Sequence, residues 1–282
     1  MYRGLIVIAL IIGVCSTAKS MSLEAAEDSL VYYYEKINEQ RKDKQRMEWN
    51  QKFYHLMEYA VEHEDAFDYS FSKLEKIAVL TSEDELVRIV SWNIESNFET
   101  NSYYTFILHR PKKRKRHQVY ALKKEQENKT ETGILTDGNW FGALYYDIIH
   151  HKVSRKEEYY LVLGWDGQNS IIHRKVIDVI DLNDGKLKMG APLFFEGKVM
   201  RNRVIFSYAS DVTMTLRHEP NMEMIVFDAL APHKDHLEGH YQYYGPVLNR
   251  NDAYVFEEGK LVLKEDVDAR LQDSSKEYND PE

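Results

Sequence analysis

The segment Tyr159-Tyr160-Leu161-Val162-Leu163-Gly164-Trp165-Asp166-Gly167 is the most informative part of the sequence for the fold. In an extended chain successive side chains point to opposite faces, so the run Leu161-Val162-Leu163 is apolar on both. Strands of this kind are covered on both sides of their sheet. The Asp166-Gly167 pair that follows has the composition of a tight turn. The sequence therefore predicts a central, buried β-strand over 159–165.

Apolar residues also recur at every second position on either side of this segment, from residue 86 onward. The clearest alternation is Val212, Met214 and Leu216 against polar neighbours. Turn sequences such as Glu219-Pro220-Asn221 and Glu257-Glu258-Gly259 separate neighbouring strands, and short turns join antiparallel strands. The candidate strands are 86–95, 103–110, 118–123, 141–151, 159–165, 171–182, 203–208, 212–218, 223–230, 254–256 and 261–264.

The region before residue 86 has a helical period instead. Apolar residues recur every three or four positions from Ser22 to about His63, with a charged stretch over 39–46. This pattern fits a helical hairpin broken near 40–44, or one long helix running through. Ser72-x-x-Glu75 has the spacing of a capping box and predicts a third, short helix.

The fold class that follows is α+β. A helical N-terminal segment (19–80) packs on a large antiparallel sheet system (81–282), a sandwich or barrel, with a polar tail over about 270–282. A small propeller is the alternative, but its blades need a repeated pattern. Trp92, Trp140 and Trp165 have no matching neighbours that would indicate such a repeat.

The net charge of -9 argues against a protein that coats nucleic acid or anionic membrane, because both require a basic field. The single basic block is Lys112-Lys113-Arg114-Lys115-Arg116-His117. It lies between two predicted strands, which favours a solvated hairpin tip. Contact with anionic lipid headgroups or polysaccharide is the alternative for this block.

The first eighteen residues have the pattern of a cleaved export signal. Arg3 precedes ten apolar or Gly residues, Leu5 to Val14, and Ser16 and Ala18 are spaced as a cleavage site. Export to the periplasm, cell surface or medium is therefore expected, and no other segment predicts a transmembrane helix. Lipidation of Cys15 is the less favoured alternative, since Val14 is larger than a lipoprotein box requires. A chain cut after Ala18 contains no Cys.

His233, Asp235, His236 and His240 form the most prominent candidate metal site. On one helix they would line a single side and could ligate zinc, but Gly239 interrupts such a frame, and a polar, His-rich surface loop is the favoured interpretation. Three turns rich in Asp, Asn and Gly, at 137–139, 166–169 and 181–185, have residue types that bind calcium but also those of ordinary turns. His150 and His151 would point to opposite faces of a strand, so they cannot chelate together. No cofactor is predicted, and Ca or Zn remain the only metals considered.

Twenty Tyr and four Trp are best explained by rings that cover a sheet, and the alternative is a binding surface for glycan, peptide or a partner protein. Adjacent Tyr pairs within strands are expected to place one ring in the core and one outward. Trp140, Trp165, Tyr241 and Tyr243 each adjoin a predicted turn where a ring can reach solvent. These four are therefore the candidate ligand-binding residues.

Three common templates for catalysis are missing from the sequence: it contains no Gly-x-Ser-x-Gly, phosphate loop or dinucleotide fingerprint. Two classes of function therefore remain open. One is a non-enzymatic envelope protein that binds a ligand or serves as a structural partner. The other is an exported hydrolase, with a metal held by the four residues of the His233 to His240 segment.

Several motifs resemble an uncharacterised exported protein family of Bacteroidota-type bacteria. They are Trp92-Asn93, the run Trp140 to Tyr146, the segment Tyr159 to Gly167, Tyr244-Gly245-Pro246 and Asp252-Ala253-Tyr254. The resemblance covers most of the chain after about residue 86. It implies export and a β-rich body, and it implies no activity and no catalytic residue.

Overall fold

The structure is a computed structural model that describes residues 21–98, 100–112, 116–124 and 130–268. The predicted export signal (1–18), the polar tail (270–282) and the centre of the basic block (113–115) lie outside the described residues. None of the described helices is both long enough and apolar enough to cross a bilayer.

The N-terminal segment is a helical hairpin of α1 (Leu23–Glu39) and α2 (Asp43–Glu62). The Ser22 side chain accepts a hydrogen bond from the Ala25 backbone N–H and so caps α1. Gln40 has extended backbone angles, and Arg46 of α2 donates to its carbonyl. Of the two possibilities left open by the sequence, the hairpin is the observed one.

Fifteen strands follow in the described part of the chain, and they form three sheets. The helix-side sheet has the order β1 (Ala78–Thr81), β2 (Val87–Glu95), β3 (Asn101–His109), β4 (Gln118–Leu122). The central sheet has the order β11 (Val204–Ala209), β7 (Ile172–Asp181), β6 (Glu158–Asp166), β5 (Leu144–Lys152), with β8 (Lys188–Met189) paired to β7. The outer sheet has the order β10 (Val199–Arg201), β9 (Phe194–Glu196), β15 (Lys260–Val267), β14 (Tyr244–Glu257), β13 (Met224–Pro232), β12 (Leu216–Glu219). Neighbouring strands are antiparallel, except that β15 and β9 run parallel.

The elements stack in layers in the order helices, helix-side sheet, central sheet, outer sheet. One apolar cluster joins the helices to Val90, Trp92 and Phe106 of the helix-side sheet. A second cluster fills the space between that sheet and the central sheet, and a third lies between the central and outer sheets. The α+β fold class is therefore confirmed in its sandwich-like form, and the described strands close neither a barrel nor a propeller.

Strand β6 has the central position that its sequence predicts. It pairs with β5 on one side and with β7 on the other. Leu161 and Leu163 pack toward the outer sheet, whereas Tyr160 and Val162 pack toward the helix-side sheet. The run of apolar residues reflects these two buried faces.

The predicted third helix is wrong, because residues 72–77 form turns. The backbone N–H of Lys73 donates to the buried carboxylate of Glu27 on α1, at 2.8 Å. Phe71, just before it, has a left-handed backbone with φ 49°. The predicted helix would include Ala78, but Ala78 is the first residue of β1 and pairs with Ser91 of β2.

Strands β1, β8, β9 and β10 were not predicted, and the starts of two predicted strands differ most from the structure. Ladder pairing of β12 begins only at Leu216. The backbone N–H of Thr215, one residue earlier, donates to the side-chain carboxylate of Asp228 on β13 instead of to a backbone carbonyl. In contrast, β14 starts at Tyr244 and not at Tyr254. Its first half contains Gly245, Pro246 and Asn249, and residues of these types are typical of turns.

The expectation of one outward ring in each Tyr pair is wrong as well. Tyr103 packs between the helix-side and central sheets, and its neighbour Tyr104 packs against the helices. Tyr159 and Tyr160 are both buried, on opposite faces of β6. Since further layers cover both faces of these strands, both rings of a pair lie in a core.

Candidate functional site

Of the four candidate ligand-binding rings, Trp140 is fully buried. Its indole Nε1 donates to the Tyr145 hydroxyl at 2.8 Å, and its ring belongs to the core between the helix-side and central sheets. The expectation that this ring reaches solvent is wrong, because the segment after the turn at 137–139 enters the core at once.

Trp165 lies at the end of β6 and is half-buried. Its ring meets the His173 ring edge-to-face at 5.3 Å and also covers the backbone of Gly167. The indole Nε1 is buried and has no hydrogen-bond partner. Trp165 is therefore partly covered by β7, whose His173 ring also packs against Tyr208 of β11.

Tyr241 and Tyr243 are exposed, with 46% and 43% of their surface accessible. They form a single 3-10 turn, Tyr241–Tyr243, that leads directly into β14. We call Tyr241, Tyr243 and the half-buried Tyr244 the aromatic surface. The rings of Tyr241 and Tyr244 pack at 5.2 Å.

Backbone contacts hold the aromatic surface in place. The backbone N–H of His233 donates to the carbonyl of Tyr243 at 3.0 Å, which closes the loop that carries the rings. The Tyr244 hydroxyl accepts from the backbone N–H of Gly239 at 3.0 Å. Exposed rings fixed in this way lose little conformational entropy when a ligand stacks on them.

The candidate metal residues His233, Asp235, His236 and His240 lie in this same loop, and all four are exposed. They do not share a helix: two short 3-10 turns, Asp235–Leu237 and Tyr241–Tyr243, are separated by Gly239 at φ 80°. Residues three and seven positions apart therefore do not share one side, and the expected helical arrangement is wrong. Within the described ranges, the clustered metal-ligating side chains lie elsewhere.

The three Asp-, Asn- and Gly-rich segments behave as turns. Asp181 accepts hydrogen bonds from the backbone and the side chain of Asn183, at 2.9 and 2.8 Å. Asp137 accepts from the next backbone N–H. The Asp166 carboxylate is buried and lies 3.5 Å from Arg174, so an arginine supplies the positive charge beside it.

The described residues at the two ends of the basic block contact acidic or backbone groups of the same chain. Lys112 lies 3.3 Å from Glu158, and Arg116 lies 3.9 Å from Glu64. His117 Nε2 lies 2.7 Å from the carbonyl of Val61 at the end of α2. These contacts attach the base of the loop to the body of the protein.

The clustered side chains are Asp84, His150 and Glu158, which we call the carboxylate–histidine cluster. His150 Nε2 lies 3.5 Å from an oxygen of Asp84 and 3.5 Å from an oxygen of Glu158. One ligand atom from each residue lies within 4.8 Å of the others. All three side chains are partly buried.

Each member of the cluster is oriented by neighbours. Asp84 accepts hydrogen bonds from Ser82 Oγ at 2.7 Å and from the Tyr160 hydroxyl at 3.0 Å. Burial, with a smaller contribution from Asp84, raises the pKa of Tyr160, so the hydroxyl stays protonated and donates. The His150 ring stacks on the Tyr160 ring at 5.3 Å.

The backbone of Glu158 is fixed too. Its N–H donates to the Asn183 side chain, and its carbonyl accepts from the same amide. Glu158 and His150 share a face because His150 is paired with Tyr160, two residues from Glu158. Asp84 reaches them from the β1–β2 turn, across the boundary between two sheets.

Sequence reasoning did not find this cluster. His150 was considered with His151, and those two rings do point to opposite faces: His151 is buried and its Nε2 lies 3.2 Å from the carbonyl of Gly259. No motif joins Asp84, His150 and Glu158, because the turn that carries Asp84 is 66 residues from His150 and meets it only through sheet stacking. One feature of the strand pairing does bring two of the three residues together: His150 of β5 pairs with Tyr160 of β6, and Glu158 lies two residues from Tyr160 on the same face.

A second polar group is buried in the core between the helix-side and central sheets. Arg203 Nε donates to Asp178 at 3.0 Å, and both side chains are fully buried. The remaining guanidinium nitrogens donate to the carbonyls of Thr130, Gly133 and Met189. Burial raises the pKa of Asp178, and the charge of Arg203 opposes that rise. With its donors used within the fold, this pair is a structural element.

The fold and these sites define a layered α+β protein with an exposed aromatic surface and a separate carboxylate–histidine cluster. Comparisons with protein-family models, with curated protein sequences and with solved structures found no match for the chain.

Proposed function

We propose that the protein is an exported envelope protein that acts as a non-enzymatic binding module and holds its ligand on the aromatic surface. The supporting observation is the pair of exposed rings at Tyr241 and Tyr243, carried by a loop whose backbone is closed by the hydrogen bond from His233 to Tyr243. Export is proposed from the N-terminal sequence pattern and from the resemblance to exported proteins.

An envelope glycan is the ligand class that we favour. A Tyr ring offers a flat apolar face with a polar hydroxyl at its edge. A sugar ring has the complementary form, with a C–H face and a rim of hydroxyls. The loop also carries four side chains that can hydrogen-bond to such a rim: His233, Asp235, His236 and His240. In this proposal these residues contact the ligand and not a metal.

The test is a binding screen of the purified chain against bacterial envelope polysaccharides, peptidoglycan fragments and a peptide library. We expect Tyr241→Ala and Tyr243→Ala each to weaken glycan binding by about tenfold, since a ring at the centre of a small interface contributes about 1–2 kcal/mol. Tyr59→Ala is the matched control, because Tyr59 is 41% exposed on α2, away from the loop. It should leave binding unchanged.

If Tyr59→Ala weakens binding as much as the two loop variants do, the ligand-binding site does not lie on the aromatic surface. If the chain binds peptides but not glycans, peptides replace glycans as the proposed ligand class. If neither binds, the remaining form of this function is a structural partner of other envelope proteins. Trp140→Ala is unsuitable as a binding probe, because Trp140 is fully buried and its loss should destabilise the fold.

A further inference from the structure

Two carboxylates and a histidine meet between the helix-side and central sheets, remote from the aromatic surface. We propose that Asp84, His150 and Glu158 form a binding site for a divalent transition-metal ion of the Zn²⁺ class. This inference does not depend on the proposed function. The argument rests on the distances, on an unpartnered nitrogen and on the chemistry of the three ligands.

The two distances from His150 to the carboxylates fit a metal better than they fit direct hydrogen bonds, and the two carboxylates lie within 4.8 Å of each other. Nitrogen and oxygen ligands lie about 2.0–2.2 Å from Zn²⁺, so two ligands of a tetrahedral site are about 3.3–3.5 Å apart. His150 Nε2 lies 3.5 Å from each carboxylate oxygen. A charge-assisted hydrogen bond would shorten such a distance to about 2.7–2.9 Å.

The second observation is the state of His150 Nε2 itself. This atom is buried and has no hydrogen-bond partner, although it faces two carboxylates. A buried polar atom without a partner costs free energy. A metal ion between the three side chains would satisfy this nitrogen and neutralise the two carboxylates together.

The ligand types select the class of metal. Imidazole favours Zn²⁺ and other transition metals, whereas Ca²⁺ and Mg²⁺ prefer sites made of oxygen alone. The Ser82 and Tyr160 hydroxyls bonded to Asp84 are the kind of outer contact that orients a ligating carboxylate. Three protein ligands leave a fourth position for water, the arrangement found in open zinc sites.

Lys112 is the competing cation. Its ammonium lies 3.3 Å from both oxygens of Glu158. The Lys112 side chain is 64% exposed, so it can move into solvent when a metal binds. Because an exposed ion pair contributes at most about 1 kcal/mol, Lys112→Ala should tighten metal binding by up to about fivefold.

The experiment is a titration of the purified chain, first treated with chelator, with ZnCl₂, MnCl₂ and CaCl₂ by calorimetry and thermal melting. We expect one Zn²⁺ per chain, weaker Mn²⁺ binding, no measurable Ca²⁺ binding, and a melting temperature that rises with Zn²⁺. His150→Gln and Glu158→Gln should each weaken Zn²⁺ binding by about a hundredfold or more, which exceeds the loss expected from an outer contact alone.

His236→Gln is the matched control, since His236 is an exposed histidine of the loop that carries the aromatic surface. It should bind Zn²⁺ as the wild type does. Loss of binding in His236→Gln, wild-type affinity in His150→Gln, or no Zn²⁺ uptake by the folded wild-type chain would each overturn the proposal. Circular dichroism of Glu158→Gln, a change at a partly exposed side chain, separates loss of the site from loss of the fold.

Discussion

At the scale of single residues, we expect the buried side chain of Arg203 to stabilise the fold more than any exposed charged side chain does. Its guanidinium joins β7, through Asp178, to three backbone carbonyls in the connecting segments at 130–133 and 189. Gly190, at φ 100°, passes beside this guanidinium, and a Cβ there would lie 2.7 Å from Arg203 Nη2. The segment 130–133 and residues 189–190 therefore pack around the buried guanidinium group of Arg203.

Replacing Arg203 by Met should destabilise the protein by about 3–5 kcal/mol, because it leaves the Asp178 carboxylate buried without a counter-charge. Urea unfolding measures the change. Arg250→Met is the control, since Arg250 forms an ion pair with Asp252 at a partly exposed position, and a much smaller loss is expected there.

The double variant Asp178→Asn with Arg203→Met should be less destabilised than the sum of the two single variants. Removing both charges eliminates the uncompensated carboxylate, although three carbonyls still lose their donor. Additive losses would show that the ion pair itself contributes little.

At the scale of elements, β6 is the strand on which the stacking of the sheets depends. Leu163 is fully buried in the cluster between the central and outer sheets. Gly164 follows it where the backbone passes close to its neighbours, since an added Cβ would lie 2.9 Å from the Tyr145 ring. On one face of β6, Leu163 therefore fills the core. On the other face, Gly164 leaves room for the Tyr145 ring to lie close to the backbone.

Leu163→Ala should lower the free energy of unfolding by about 2–5 kcal/mol, the range for a leucine truncated in a packed core. Denaturant unfolding measures the loss. Leu248→Ala is the matched control, since Leu248 is 90% exposed and its truncation removes little buried surface. A melting temperature of Leu163→Ala equal to that of the wild type would contradict the central position of β6.

At the scale of the whole molecule, the layered architecture buries an unusual number of tyrosine hydroxyls. Burial is the main cause that raises the pKa of Tyr103, Tyr145 and Tyr160. It also raises the pKa of Tyr254 to about 12. The folded state therefore binds these protons more tightly than the unfolded chain, whose tyrosines titrate near pH 10.

The sign of the pH dependence follows from these raised pKa values. The stabilisation from neutral phenols is complete below about pH 10 and is lost as the pH rises through the folded-state pKa values. We expect the free energy of unfolding to decline from about pH 10 upward, with buried tyrosines ionising only as the protein unfolds. Tyrosinate absorbance and near-UV circular dichroism, recorded together in an alkaline titration, measure this. Buried tyrosines that ionise while the near-UV signal stays native would contradict it.

The sequence predicted much of the fold because the relevant signals are local. Helical periodicity located the region of α1 and α2, and the doubly apolar run located β6. The prediction of a third helix failed because Ala78, which it would include, pairs with Ser91 of β2, a contact that helical spacing does not reveal. The first half of β14 was missed because turn-type residues in it pair with β13.

The candidate sites divide in the same way. The solvent exposure of Tyr241 and Tyr243 was predicted correctly because they adjoin a local turn, whereas the exposure predicted for Trp140 was wrong because it depended on what packs above that ring. The carboxylate–histidine cluster had no sequence signature, since Asp84 belongs to one sheet and the other two residues to another.

For this protein, the α+β class, the order of the helical and strand regions and the buried character of β6 follow from residue periodicity alone, because helices and strands impose fixed repeats on neighbouring residues. The layering of three sheets, the packing of both rings of the Tyr103–Tyr104 and Tyr159–Tyr160 pairs, and the meeting of Asp84 with His150 were decided by tertiary structure. They depend on which apolar faces pack against each other, and packing between faces is non-directional and leaves no fixed spacing in the chain.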